Sequence, residues 1–506
     1  MKQWVLAAVA GLAMFSGLAP VSGIARAQSV VTYHNSPSRS GDYTVPGLTA
    51  AAAATLHKDS NFSATVSGNV YAQPLYWKPS GATVGLLIVA TESNLVYALN
   101  ADTGAQVWTT QLATPASRSA LPCGDIDPEG VTGTPVIDPA TGTLYLDAMT
   151  IQSGNVPRQM IYALSLSDGK VLPHWPLDVD LTMAARHAAF SSDTQGERSA
   201  LQFIGGKLYV NFAGRSGDCP DSHGVFYRGV VIEIAPSATP AISGSWETRA
   251  VRGGIWAQGG VASDGKSLFA TTGNTLGAKT WGDGEAVVRL LPGLAHSAST
   301  KDYFAPANWS DLDNADADLG STTAVPFTLP ATPSGIVPRR ILALGKDKNA
   351  YLLNGANLGG IGHQLATLQV SNSGIFTAPA IYKTATDTMV AFSNRNGLSA
   401  ACSGTSLTML KVTVAGKNPM SIDWCAPIGG RGVPIITTTN GAANALVWVV
   451  GAEGDNLLRG FNALNGKAIF TGGGVSMKGL RHFGTLIAAN RHLYVAADGT
   501  VYAFTF

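Results

Sequence analysis

Residues 96–108 read VYALNADTGAQVW, and this stretch decides the fold. Its apolar residues alternate up to an Asp-x-x-Gly turn, after which a second short run carries Trp108. Alternation with a period of two, a tight turn and a second strand make a β-hairpin with one buried face. A lone hairpin cannot bury that face, so copies have to stack on one another. Copies are present: IYALSLSDGKVL at 161–172, LRGFNALNGKAIF at 458–470 and VYAF at 501–504. Degenerate counterparts begin at 230 (VVIEIAPSATP), 286 (AVVRLLPG), 350 (AYLLNGANLGG) and 407 (LTMLKVTVAG).

These make eight copies, spaced by roughly 45 to 70 residues, the range of a four-stranded propeller blade with loop insertions. Two further strand-like runs precede each phrase, such as GTPVID and TLYLDAMT before residue 161. The phrase therefore supplies the outer two strands of each blade. The expected fold is all-β, an eight-bladed propeller of four-stranded antiparallel blades. The last blade lacks a strand after VYAF, and NFSATVSG at 61–68 is expected to fill that place, closing the ring and removing a sheet edge.

The N-terminus reads as an export signal over residues 1–27: Lys2, an apolar stretch from Trp4 to about Leu18, Pro20, then Ala25-Arg26-Ala27 as the cleavage site. Residues 28–506 are expected to form one propeller domain, periplasmic or secreted. No later apolar run has the length of a membrane-spanning helix. The 58 glycines and 13% charged residues suit short strands joined by turns, and a formal net charge of +1 gives no footprint for nucleic acid. Four cysteines in an exported chain suggest two disulfides and allow three connectivities. The expected pairs are Cys402 with Cys425, which lie within one repeat, and Cys123 with Cys219.

The phrase, with Ala-Leu, a following Gly and then Trp, resembles the tryptophan-docking repeat of the pyrroloquinoline quinone (PQQ) propeller superfamily. That superfamily includes quinoprotein alcohol dehydrogenases and the assembly lipoprotein of the outer-membrane β-barrel machinery, so the resemblance speaks to fold more than to activity. Taken singly, the polar residues outside the repeat have ordinary explanations. Asn274 in FATTGNT reads as a turn residue, Trp256 in RGGIWAQGG as blade packing, and Glu197 in DTQGERSALQF and Lys346 in GKDKNAYLLN as surface charges. The acidic insertion WSDLDNADADLGS, with Asp316 and Asp318, is a common loop composition.

Taken in order, they are similar to the quinoprotein alcohol dehydrogenase pattern. The resemblance implies Glu197 and Asn274 as oxygen ligands of a calcium or lanthanide ion, with Asp316 as an extra ligand. It implies Trp256 as the floor on which PQQ stacks and Lys346 as a hydrogen-bond donor to it. Asp318 would be both general base and metal-side carboxylate. The substrate would be an alcohol or sugar, with an external electron acceptor because no Cys-x-x-Cys-His is present for covalent haem.

Two positions depart from that family. In CGDIDPEG, Gly124 stands where a second adjacent cysteine is expected, and Glu129 where an arginine would meet a cofactor carboxylate. A non-catalytic propeller binding a protein or glycan is the alternative. A lyase of acidic polysaccharide is the third reading: Arg186-His187 and Arg481-His482 each precede an inner strand and are candidates to face the channel, although ordinary hydrogen bonding within a blade is the first expectation for them. There is no Gly-x-Ser-x-Gly elbow, phosphate loop or zinc spacing.

Overall fold

Every copy of the phrase forms the third strand of a sheet that runs outward from a central axis. In blade 1 the order is Leu75–Trp77, Leu86–Ala90, Leu95–Asn100 and Gln106–Gln111, all antiparallel. This computed structural model describes residues 29–186, 188–215, 219–220, 224–398, 402–414, 416 and 418–506, so the expected export signal and His187 lie outside the described residues. The innermost strands of blades 2 to 4 are Val136–Asp138, Gln202–Ile204 and Ala262–Ser263. Those of blades 5 to 8 are Val325–Thr328, Ala380–Lys383, Ile435–Thr438 and Leu486–Ala489. The eight-bladed propeller is thus observed.

Ring closure follows the expectation and extends it. The last phrase strand, Thr500–Thr505, pairs antiparallel with Ala64–Thr65 and also with His57–Lys58. His492 Nε2 and Asp59 Oδ2, 2.9 Å apart, tie the two ends of the chain together. Phe62, Leu56 and Leu48 from the N-terminal side share one buried core with Trp448, Tyr494 and Phe504. Both expected disulfides, Cys123–Cys219 and Cys402–Cys425, are formed.

The phrase owes its composition to packing between blades. Trp108, on the outer strand of blade 1, donates from Nε1 to Leu166 O of blade 2 at 3.0 Å. Its ring lies on Gly169, where a Cβ would come within 2.5 Å of Trp108 Cε3 and where φ is +72°. Only glycine satisfies both conditions at little cost. The same device recurs between blades 6 and 7, with Trp424 Nε1 bonded to Ala463 O at 2.9 Å and its ring on Gly466. The tryptophan of one blade thus reads the turn of the next, which repeats the phrase along the chain.

One feature has no counterpart in the repeat. Residues 30–44 pass across one end of the central channel and bond to the inner strands of six blades. Val30 exchanges hydrogen bonds with Tyr76, Val31 O accepts from Ile137 N, and Pro37 O accepts from Ser263 N and Gln202 Nε2. Arg39 Nη2 donates to Leu201 O, Ser40 O accepts from Ile381 N, and Asp42–Thr44 lies parallel to residues 436–438 of blade 7. Arg39 is fully buried, and burial pulls its guanidinium down to about 9. This plug turns the channel into a cup.

Candidate functional site

In each blade the loop before the inner strand and the end of the antiparallel second strand lie at the same face. The sequence candidates fall at these two kinds of position: Trp256 and Asp318 precede inner strands, while Asn274 and Lys346 follow second strands. Five of the six expected residues therefore meet. Trp256, Asn274, Asp316, Asp318 and Lys346 line one cavity of about 220 Å³, together with Arg198 and Arg215.

The geometry is specified in detail. Lys346 Nζ lies 2.6 Å from Asp318 Oδ2, 3.1 Å from Asp316 Oδ1 and 5.3 Å from the centroid of the Trp256 ring. Asp318 Oδ1 accepts from Asn274 N at 2.8 Å, and Asn274 Nδ2 donates to Asp316 Oδ1 at 2.7 Å. Burial pushes the Asp318 carboxyl upward, with the Lys346 ammonium opposing it. Burial works to lower Lys346, but Asp318 and Asp316 outweigh it and hold the ammonium above the ordinary lysine value.

Two carboxylates that the sequence did not single out, Asp313 and Glu285, build the support for this group. Asp313 Oδ1 accepts from the backbone and hydroxyl of Thr275, and its Oδ2 accepts from Gly277 N at 2.6 Å. It pins the Asn274 loop to the short helix Trp309–Asn314. Beneath the Asp318 turn, Glu285 Oε2 accepts from Leu319 N at 2.6 Å. Burial, with Asp318 adding, pushes the Glu285 carboxyl up to about 9.

Glu197 lies apart from this group. It faces a neighbouring small cavity with Glu129 and Thr132, accepts from Gly133 N at 3.2 Å through Oε2, and leaves Oε1 buried without a partner. Burial, with Asp147 adding, holds its carboxyl well above the usual range. Glu129 is buried in an ion pair with Arg215, whose guanidinium also donates to Asp193 O and Ser192 O. The charge at Glu129 is therefore cancelled within the protein. Cys123, two residues beyond Leu121, is tied to Cys219, which follows Arg215 by four positions, so the disulfide links the loops that bear Glu129 and Arg215.

The Arg481-His482 pair faces the channel while also pairing with Asp498 and Glu453, and the Arg186 side chain does not face it. Arg481 and His482 line a second cavity of about 260 Å³ in the channel, with Tyr71, Trp256, Gln258 and Phe483 among its walls and Tyr33 of the plug contributing. Arg186 instead donates from Nη1 to Ile242 O on the outermost strand of blade 3, away from the channel. It follows the helix Val179–Ala185, which packs against the outer side of its blade.

Solved structures with this architecture decide the fold. A quinohaemoprotein alcohol dehydrogenase from Pseudomonas putida HK5 superposes with a TM-score of 0.64 at 12% identity, covering 94% of this chain and 80% of that one. This chain therefore has the eight-bladed propeller fold of that enzyme. The quinohaemoprotein alcohol dehydrogenase of Comamonas testosteroni matches this propeller at 0.63 and 13% identity, again over 94% and 80% of the two chains. A europium-containing methanol dehydrogenase matches at 0.59 and 13% identity over 94% and 98%. No protein-family model and no curated protein sequence matches the chain.

Whether this propeller can hold a metal ion is answered by its donors. Asn274 Oδ1 is buried without a hydrogen-bond partner, as a metal ligand would be. The other candidate donors are arranged otherwise: Lys346 is paired with both aspartates, Glu197 faces another cavity, and the Arg215 guanidinium occupies the wall. Among the described residues, no three carboxylate, imidazole or thiol side chains converge on one point. A hard divalent or trivalent cation requires several anionic oxygens, and these residues as arranged do not provide them. A flat ligand carrying carboxylates fits better, since the Trp256 face is flanked by Arg198 and Lys346.

Proposed function

We propose that this chain is a haem-free oxidoreductase of the quinoprotein type that holds PQQ against Trp256 and oxidises an alcohol or sugar, passing electrons to an external acceptor. Residues 1–27 are its export signal and residues 28–506 its single domain, and the protein works in the periplasm or outside the cell. The observation that carries this reading is the Asp318–Lys346 pair beside the Trp256 ring in one cavity. When bound, PQQ supplies a two-electron acceptor for the hydride of the substrate C–H bond.

The chain's own residues do the rest. Asp318 takes the substrate hydroxyl proton; burial raises its basicity above that of an exposed carboxylate, and Lys346 keeps it ionised. Asn274 N and the Glu285–Leu319 bond hold the carboxylate in place. Trp256 provides a flat apolar face, and the plug at residues 30–44 keeps bulk water from entering through the far end of the channel. No step is assigned to calcium or a lanthanide, because the donors do not assemble around one.

Calorimetric titration of the mature protein with PQQ tests this, run with EDTA, with calcium and with lanthanum, and repeated with Asp318→Ala. Binding in EDTA, unchanged by either metal, followed by oxidation of an alcohol or sugar in the wild type and not in the variant, is the expected result. No PQQ binding under any condition overturns the reading.

A second reading is a non-catalytic propeller that binds a protein or glycan. It is favoured by the saturation of Asp318, both of whose oxygens already have partners. Absence of PQQ binding, together with no ultraviolet absorbance rise on uronate polymers, would leave that reading standing and remove the lyase.

A further inference from the structure

The cations around the two cavities are nearly all spoken for. Lys346 is held by Asp318 and Asp316, Arg215 by Glu129, Arg481 by Asp498, and His482 by Glu453, which Arg431 also approaches. Arg198 is the exception. It makes no hydrogen bond and no ion pair to any described residue, yet it is half-buried and lines the cavity at Asp318, the channel cavity and the small cavity between them.

The carboxyls near Arg198 do not answer its charge. Glu129 belongs to Arg215, and burial pushes Glu92 up to about 8, so that it holds its proton at neutral pH. Glu197 is likewise raised by burial. Asp125, on the channel wall, is exposed to solvent. A half-buried guanidinium with five unused donors is complementary to a carboxylate, which it can grip through two parallel hydrogen bonds.

The rest of the channel cavity is lined for a polyol. Tyr71, Trp256 and Phe483 offer ring faces suited to the C–H surface of a sugar, while Thr132, Thr134 and Thr485 offer hydroxyls. Gln258 Oε1 is buried there without a partner and can accept from a ligand hydroxyl. Phe483 holds a φ of +67°, a conformation that a bulky residue rarely adopts and that clusters at ligand sites.

We propose that Arg198 binds the carboxylate of a sugar acid whose ring lies in the channel cavity, with its reacting hydroxyl on the Asp318 side. That such a ligand is oxidised rests on the function proposed above, whereas the carboxylate contact does not. PQQ also carries carboxylates, so the test must separate cofactor from substrate.

The experiment is calorimetric titration of the mature protein with sodium galacturonate, glucuronate and gluconate. Each is compared with its neutral counterpart, galactose, glucose and glucitol, and PQQ in EDTA is titrated in parallel. Wild type, Arg198→Ala and Arg198→Lys are compared. At least one acid is expected to bind tenfold or more tightly than its neutral partner. In Arg198→Ala that preference should vanish while neutral binding stays within twofold, and Arg198→Lys should retain part of it. Arg198 makes no hydrogen bond or ion pair to any described residue, so the melting temperature of Arg198→Ala is expected to match the wild type.

If no acid is preferred over its neutral partner, or if the preference survives in Arg198→Ala, the proposal is overturned. If only PQQ loses affinity in the variant, Arg198 belongs to the cofactor and the substrate assignment is equally overturned. Preferred, Arg198-dependent acid binding without PQQ binding would uphold the carboxylate site while overturning the oxidoreductase reading.

Discussion

Lys346 Nζ stands 2.6 Å from Asp318 Oδ2, and the pair closes one end of blade 5: Asp318 precedes its inner strand and Lys346 follows its second strand. Lys346 N also donates to Asp318 O at 2.9 Å, so backbone and side chain hold the same turn. Removing the ammonium leaves a buried carboxylate uncompensated. Lys346→Ala is expected to cost about 2–4 kcal/mol of stability at neutral pH, somewhat below a fully buried pair because Lys346 is partly exposed. The double variant with Asp318→Asn should recover much of that loss, and chemical denaturation of the three proteins checks it. If the double variant is less stable than Lys346→Ala, the pair is not the source of the effect.

Stability should fall as pH rises through the neutral range. The carboxyls of Glu92 and Glu285 are raised by burial to about 8 and about 9. Between the unfolded value near 4.5 and these values, the native state holds protons that the unfolded chain releases, so the slope of stability against pH is negative. Asp302 acts oppositely: hydrogen bonds from Ser297 and Arg289 outweigh burial and lower its carboxyl, and that contribution is lost only in acid. The thermal midpoint is therefore expected to be higher near pH 5 than at pH 9. Glu92→Gln should be neutral at pH 5 and stabilising at pH 8, by on the order of 1–2 kcal/mol. Scanning calorimetry across that range would show a flat profile if the carboxyls were ionised throughout.

The two disulfides are expected to differ in consequence. Cys123–Cys219 closes a separation of 96 residues and Cys402–Cys425 one of 23. Chain-entropy arguments give stabilisation of about 5 and about 3 kcal/mol respectively. Only the first links the loops bearing Glu129 and Arg215. Replacing Cys123 and Cys219 by serine should lower both stability and ligand affinity, whereas replacing Cys402 and Cys425 should lower stability alone. Equal losses of affinity in the two variants would count against a role for the first bridge in shaping the site.

The turn glycine of the repeat offers a direct test of blade docking. Gly169→Ala introduces a methyl group 2.5 Å from the Trp108 ring at a backbone φ of +72°. The expected cost is about 2–4 kcal/mol, from left-handed strain and overpacking together. Gly205→Ala, at φ +59° with open space around its Cβ, should show only the backbone part, about 1 kcal/mol. Urea unfolding of both variants separates the two terms.

The propeller was legible in the sequence because its information is local. A period-two alternation, a turn and a docking tryptophan recur within each repeat, and the interface between blades repeats with them. The closing strand near residues 61–68 was legible from a missing strand, and the Cys402–Cys425 pair from its place within one repeat, which leaves Cys123 with Cys219. Trp256, Asn274, Asp316, Asp318 and Lys346 could be named because polar residues outside the repeat, taken in order, resemble the quinoprotein alcohol dehydrogenase pattern, and they meet because the strand ends that carry them share one face.

What the tertiary structure alone decided is the pairing of charges across the channel. Residues 30–44 carry no copy of the phrase, yet they bond to six inner strands because the ring presents unpaired inner edges that only the folded propeller assembles. Glu197, expected at the metal, turns into a separate cavity, while its neighbour Arg198 reaches the junction of all three. Arg215 cancels Glu129 across a separation of 86 positions, and Lys346 pairs with both Asp318 and Asp316. Coulomb energy depends on distance and burial, neither of which is periodic along the chain. Which cation is left without a partner is therefore a property of the folded molecule.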